Sequence, residues 1–172
     1  MNKTSVAVII FIFIFFFGLF LFFNKSGKTN NSVQESLTTT FPSQAVETKA
    51  SFAIFTNGTF REFTQAMYHN LSKDAYIEAS NPNIIKVKKD DVTWNDFFLT
   101  LPLKLTHECL TTGTGQTFCT GNGGTLRFYL NGEKKEQVLD RVIKNQDVLL
   151  VTFGNESEEI IKKQLERVGL SL

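Results

Sequence analysis

The chain is poor in the residues from which most catalytic and metal sites are made: two His, two Cys and one Trp in 172 residues. Zinc and copper sites need three or four converging ligands, and His69, His107, Cys109 and Cys119 are too few and too scattered to supply them. No G-x-S-x-G element and no suitably spaced carboxylate pair occurs, and Gly121-Asn-Gly-Gly124 lacks the Lys and the following helix that a phosphate cradle requires. Charge of one sign is missing as well. The net charge is +1, and from Ala50 onward 14 Lys and Arg stand against 15 Asp and Glu, leaving that part near −1. A nucleic-acid binder would show a basic face or a Lys/Arg cluster, so nucleic acid is excluded as a partner, and no cofactor is implied.

What is present begins with an apolar run, Val6 to Phe23 (VAVIIFIFIFFFGLFLFF), free of charges and hydrogen-bonding side chains. As a helix it would cover about 27 Å, close to the ~30 Å hydrocarbon core of a bilayer. A cleaved signal peptide is the competing reading, since Met1 to Ser5 is a short basic leader. The run, however, exceeds the usual ~7 to 15 residues of a signal-peptide core, and no A-x-A-like site follows. An uncleaved single-pass anchor over residues 1–24, with the lipid bilayer as partner, is the expectation. A lipoprotein signal is excluded because no Cys follows the run. Lys3 lies before it and Lys25 and Lys28 after it, so the positive-inside count does not orient the chain. The Cys pair and the sequons at Asn57, Asn70 and Asn155 favour an outside domain at the cell membrane.

Residues 25–49 are rich in Ser, Thr and Asn and poor in apolar side chains, too poor to offset the entropy of ordering. They read as a flexible linker with a reach of about 25 to 30 Å.

The domain, residues 50–172, is organised around Thr125 to Phe153. Leu126, Phe128 and Leu130 alternate with Arg127 and Tyr129, the period of a half-buried strand, and Asn131-Gly132 supplies a tight turn. Val138 and Leu139 continue the returning arm, Ile143 to Asp147 turns, and Val148 to Val151 is an apolar run suited to a strand covered on both faces. A second hairpin is expected at Asn57-Gly58, and two short strands, Ala75 to Ala79 and Ile84 to Val87, are expected on either side of a turn at Asn81-Pro82-Asn83. Thr93 with Asp96 forms a helix-start signature, Trp94, Phe97, Phe98 and Leu101 share one face, and Pro102 stops the helix. From Ser157 to Val168 a helix is expected, acidic at its start, with a stripe of Ile160, Ile161, Leu165 and Val168. The core should contain Phe97, Phe98, Leu126, Phe128, Leu149 and Val151.

Leu103 to Leu110 alternates as one strand and Gln116 to Cys119 returns beside it, so Cys109 and Cys119 could face one another. A structural disulfide is favoured, stabilising by roughly 2 to 3 kcal/mol. A redox-active pair and two free thiols remain open; the separation is unlike Cys-x-x-Cys and no cation cluster adjoins either residue. His107 and Glu108 adjoin Cys109, but neighbours in a strand point to opposite faces, and no catalytic role is assigned.

The order FAIFTNGTFREF, VTWNDFFLTLPLKLTHECL, TLRFYLNG and IKNQDVLLVTFGNES resembles a group of largely uncharacterised single-anchor membrane proteins of archaea and candidate-phyla bacteria. The resemblance runs from about Phe52 to the C-terminus and implies a compact β-grasp-like domain, here α+β with a mixed sheet, one short packed helix and a C-terminal helix. Relatives often carry a His-x-His element where this chain has Lys86-Val87-Lys88, so a metal role does not transfer. Some are labelled disulfide isomerase; their Cys positions match Cys109 and Cys119, though the spacing lends that label no support. The expected function is a membrane-anchored, extracytoplasmic binding module, with a protein partner at a sheet edge, and the alternative is thiol-disulfide exchange through Cys109 and Cys119.

Overall fold

The computed structural model describes residues 47–169, an α+β arrangement of ten strands and two α-helices. The expected membrane anchor, Val6 to Phe23, and the linker up to residue 46 lie outside the described residues, and no helix among those described is long and apolar enough to cross a membrane.

The main sheet is mixed. Its centre is the parallel pair β1 (Thr48–Thr56) and β10 (Val148–Gly154), in register from Ser51 opposite Val148 to Thr56 opposite Phe153. Outward from β1 lie β4 (Asn81–Val87) and then β3 (Ala75–Glu78), and outward from β10 lie β8 (Thr125–Leu130) and β9 (Glu133–Lys134), all antiparallel to their neighbours. The two-residue β2 (Thr59–Phe60) pairs with the end of β1.

A parallel pair at the centre of a sheet must be covered on both faces, which is why β1 and β10 are apolar on consecutive positions. From β1, Ala50, Phe52 and Ile54 enter the larger core, while Ala53 and Phe55 enter a smaller one on the opposite face. Helix α1 (Trp94–Thr100) and a three-stranded satellite sheet cover the first face: Phe97 and Phe98 set their rings 5.3 and 5.8 Å from that of Phe52. Helix α2 (Glu158–Gly169) covers the second with Ile161 and Val168, and the Ser51 hydroxyl donates to the Val168 carbonyl at 3.3 Å. All six positions expected in the core are buried there.

Local chemistry sets the element ends. Asn57 and Gly58 have φ of 49° and 75°, and Asn131 and Gly132 have 55° and 83°, so both Asn-Gly pairs take the left-handed turn that matches strand twist. The Thr93 hydroxyl accepts from the Asp96 amide at 3.1 Å, and Asp96 Oδ2 accepts from the Thr93 amide at 2.9 Å, a reciprocal cap on α1. Helix α1 ends before Pro102, as expected.

Four local expectations are corrected. Leu103 to Leu110 is not one strand: β5 (Lys104–Leu105) and β6 (Cys109–Thr111) run antiparallel, folded back at Thr106, whose hydroxyl accepts from the Cys109 amide at 3.0 Å. Asn81 to Asn83 lies within β4, ahead of Ile84, the first residue of that strand paired with β1, so the missing amide of Pro82 costs no ladder bond to β1. The returning arm of the Asn131-Gly132 hairpin ends at Lys134, and Val138 and Leu139 are buried in the following loop. In α2 three of the four stripe residues face inward, Ile161 and Val168 buried and Leu165 partly so, but Ile160 is 44% exposed and Gln164 is buried in addition.

The hydrogen bonds from Thr93 hold the Asp96 carboxyl below its ordinary value of 3.8. A depressed carboxyl pKa contributes stability above the unfolded value and loses it as pH falls through the folded value. Denaturant midpoints measured downward from pH 5 should therefore fall more steeply below pH 3.8 for the native chain than for Asp96→Asn. Parallel curves would remove this role from the cap.

Candidate functional site

Cys109 in β6 and Cys119 in β7 (Thr117–Cys119) are directly opposite one another, with Cα atoms 4.1 Å apart, and they form a disulfide. The bonds on either side, Thr120 N–H to Glu108 carbonyl at 2.9 Å and Thr112 N–H to Gln116 carbonyl at 2.9 Å, show that the hairpin is paired along its whole length. His107 is not turned to the sulfurs: its Nε2 lies 3.9 Å from Asp140 Oδ2 and its ring centroid 6.2 Å from that of Phe128. His69 Nε2–H donates to the Phe63 carbonyl, 2.8 Å away, far along the chain from His107. The two His and two Cys are thus not brought together, and among the described residues no group of three or more His, Cys, Asp or Glu is placed to hold a metal ion.

The disulfide hairpin forms one wall of a groove of about 350 Å³. Thr112, Gly113 and Thr114 at its tip face the segment Phe60 to Phe63, and Ile54, Tyr68, Leu103 and Leu110 provide an apolar floor. The hairpin tip lies very close to the chain after α1: a Cβ on Gly113 would stand 2.6 Å from the Pro102 carbonyl oxygen, so only glycine fits there. Arg61 is the one cation of the lining and Glu62 the one carboxylate. Arg61 Nε–H donates to the Thr56 hydroxyl at 2.6 Å, Nη2 donates to Gln116 Oε1 at 3.4 Å, and the guanidinium carbon stands 5.2 Å from the Phe118 ring centroid. Every group that immobilises Arg61 is neutral.

The sheet edges differ in how far they are closed. On β3 the outward Ile77 carbonyl accepts from the Asn70 amide at 3.0 Å, and β9 is two exposed charged residues followed by the Lys135–Glu133 pair at 2.6 Å. The covering amide on β3 and the charges on β9 discourage strand addition there. Among the described residues no strand lies on the outer side of β2, beside the groove.

A second polar cluster holds the far end of the sheet together. Arg127 of β8 donates from Nη2 to Glu156 Oε2 at 3.0 Å, and Glu156 Oε1 accepts from the Gly58 amide at 2.9 Å. The side chains of Arg127 and Glu156 are 14% and 7% exposed, so this pair joins the first hairpin tip to the β10–α2 junction away from water. Gly154 is required beside it: φ is 151° and a Cβ would meet Glu156 Oε1 at closer than contact distance. Sequence reasoning missed both this pair and the groove, because their residues come from distant segments and carry no shared spacing.

An acidic hollow is lined by Asp74, Asp90, Asp91 and Asp96, but Asp96 is committed to the α1 cap and Asp74 lies 3.8 Å from Lys89 Nζ. No family model, no curated protein and no solved structure matches the chain.

Replacing Arg127 by Met leaves the buried Glu156 carboxylate without its cation. Breaking a buried pair from one side costs about 3 to 5 kcal/mol, so Arg127→Met should lower unfolding free energy by that order, and Arg127→Met with Glu156→Gln by less. Equal losses in urea titrations of the two variants would show that the pair is not coupled.

Proposed function

We propose that the chain is a binding module, held at the membrane by its N-terminal apolar segment with the domain outside the cytoplasm, and that its ligand enters the groove beside the disulfide hairpin. The groove carries this reading: an apolar floor, a rigidly held cation and an open strand edge meet at one place. Such a combination of apolar surface with a few fixed polar groups is what ligand sites share. The disulfide has a structural part in it. β6 and β7 are three residues each, paired through their backbones, and Cys109–Cys119 adds a covalent tie at the base of the hairpin whose tip, Thr112 to Thr114, forms the wall. A disulfide also fits an oxidising location.

The fold is read as β-grasp-like. In support, the first and last strands lie side by side and parallel at the sheet centre, each flanked by an antiparallel neighbour, with α1 across one face. This agrees with the resemblance to single-anchor membrane proteins given by the sequence motifs. Thiol-disulfide exchange finds less support, since the ten-residue separation is unlike Cys-x-x-Cys and the Nε2 of the neighbouring His107 lies 3.9 Å from Asp140 Oδ2, too far for a hydrogen bond.

Two measurements test the reading. Thiol alkylation in intact cells should leave Cys109 and Cys119 unlabelled until a strong reductant is added, and externally added protease should digest the domain. The variant with both Cys109→Ser and Cys119→Ser should lose roughly 2 to 3 kcal/mol of stability and still capture ligand. Free thiols in cells, or a disulfide opened by glutathione together with insulin reduction by the purified chain, would overturn the binding reading in favour of exchange.

A further inference from the structure

Resting on the binding reading, the geometry points to the ligand class: we propose that the groove receives the C-terminus of a peptide, with the terminal carboxylate on Arg61 and an apolar last side chain on the floor.

The charge argument comes first. A guanidinium has five N–H donors. Arg61 uses one on Thr56 and one on Gln116, and it makes no ion pair among the described residues, although Glu62 is its chain neighbour on the same groove wall. Among the described residues Nη1, with two N–H groups, has no hydrogen-bond partner. Arginine recognises carboxylates in a fork with two parallel bonds, and a side chain already held by two acceptors and an aromatic face loses little entropy in doing so. The groove therefore presents an immobilised cation that lacks an anion.

The open strand edge selects a peptide over a simple fatty carboxylate. Phe60 pairs opposite Phe55, and the Arg61 amide donates to the Ile54 carbonyl at 2.8 Å, so the amides on either side of Phe60 are turned to β1. By strand alternation the N–H and C=O of Phe60 face away from β1, on the side where no strand lies. An extended peptide running along β2 would satisfy those two groups and bring its last residue to Arg61. Strand addition combined with capture of a terminal carboxylate is an established route of peptide recognition. The floor of Ile54, Phe63, Tyr68, Leu103 and Leu110 then takes an aliphatic or aromatic last side chain, and about 350 Å³ is the scale of a side-chain pocket rather than of a protein-sized interface.

Arg61 and Glu62 make opposite contributions in this scheme. Neutralising Arg61 removes the anchor, whereas neutralising Glu62 removes a like charge from the entering carboxylate.

The test uses the full chain in detergent micelles and short synthetic peptides ending in leucine, as the free acid or as the C-terminal amide, with decanoate as a non-peptide carboxylate. The acid should bind about tenfold or more tightly than the amide, Arg61→Gln should reduce the acid to the level of the amide, and Glu62→Gln should tighten the acid alone. Acid and amide are compared on the unaltered chain, so the result stands even if Arg61→Gln unfolds on melting. Equal affinity of acid and amide, binding of decanoate without the peptide, or no binding of any of the three would overturn the proposal. A display selection with peptides fixed at both ends separates this failure from that of the binding reading. Internal sequences enriched there and competed by Thr112→Trp would leave a binding module that does not read C-termini, and enrichment of nothing, with insulin reduction, would overturn both.

Discussion

The pairing of β1 with β10 is the constraint on which the rest of this domain depends. It joins the first and last strands of the described chain in parallel, so the chain between Thr56 and Val148 has to build both antiparallel flanks of the sheet and the cover of one face before it returns to the centre. Parallel neighbours cannot close through a tight turn and cannot leave a face in water. Two layers of cover follow directly: α1 with the satellite sheet over Phe52 and Ile54, and α2 over Ala53, Phe55 and Leu150. The same pairing makes the central contacts long-range, which slows their formation relative to the local hairpins.

The edges of the structure are held by devices of a different kind. Asn57-Gly58 forms a local turn, but its tip is tied to the β10–α2 junction by the Glu156 carboxylate, itself neutralised by Arg127. The satellite sheet depends on the disulfide and on the Thr106 hydroxyl, because strands of two and three residues bury little by themselves. Between these two tied-down hairpins lies the groove. Its walls belong to separate parts of the chain, each fixed by its own staple, and that is the reason an apolar floor can stand open beside a held guanidinium.

Among the described residues the Thr152 hydroxyl and the Gln164 amide, both buried between α2 and the sheet, have no hydrogen-bond partner. Their cost is set against the apolar burial of Ile161, Val168 and Leu150 on the same face. Under α1 the indole Nε1 of Trp94 is likewise buried without a partner among the described residues, set against the burial of Phe97 and Phe98.

Residues next to one another in the chain carried their own instructions. Asn-Gly turns, the Thr93–Asp96 cap, the stop at Pro102 and the apolar run of β10 each depend on dihedral preferences or hydrogen bonds spanning a few residues, so composition and spacing determined them. Leu103 and Leu105 keep a period of two but Leu110, five residues further on, falls out of phase; that slip does not say where the chain turns, and only packing of β5 against β6 placed the fold-back at Thr106. In α2 two adjacent isoleucines compete for one inward position, and the sheet chose Ile161. The cysteines were legible as a pair since their hairpin is local, whereas the Arg127–Glu156 clamp and the groove were not. Those are assembled from positions as far apart as Ile54 and Thr114, brought together by the central parallel pairing, a long-range contact that leaves no periodic trace in the sequence.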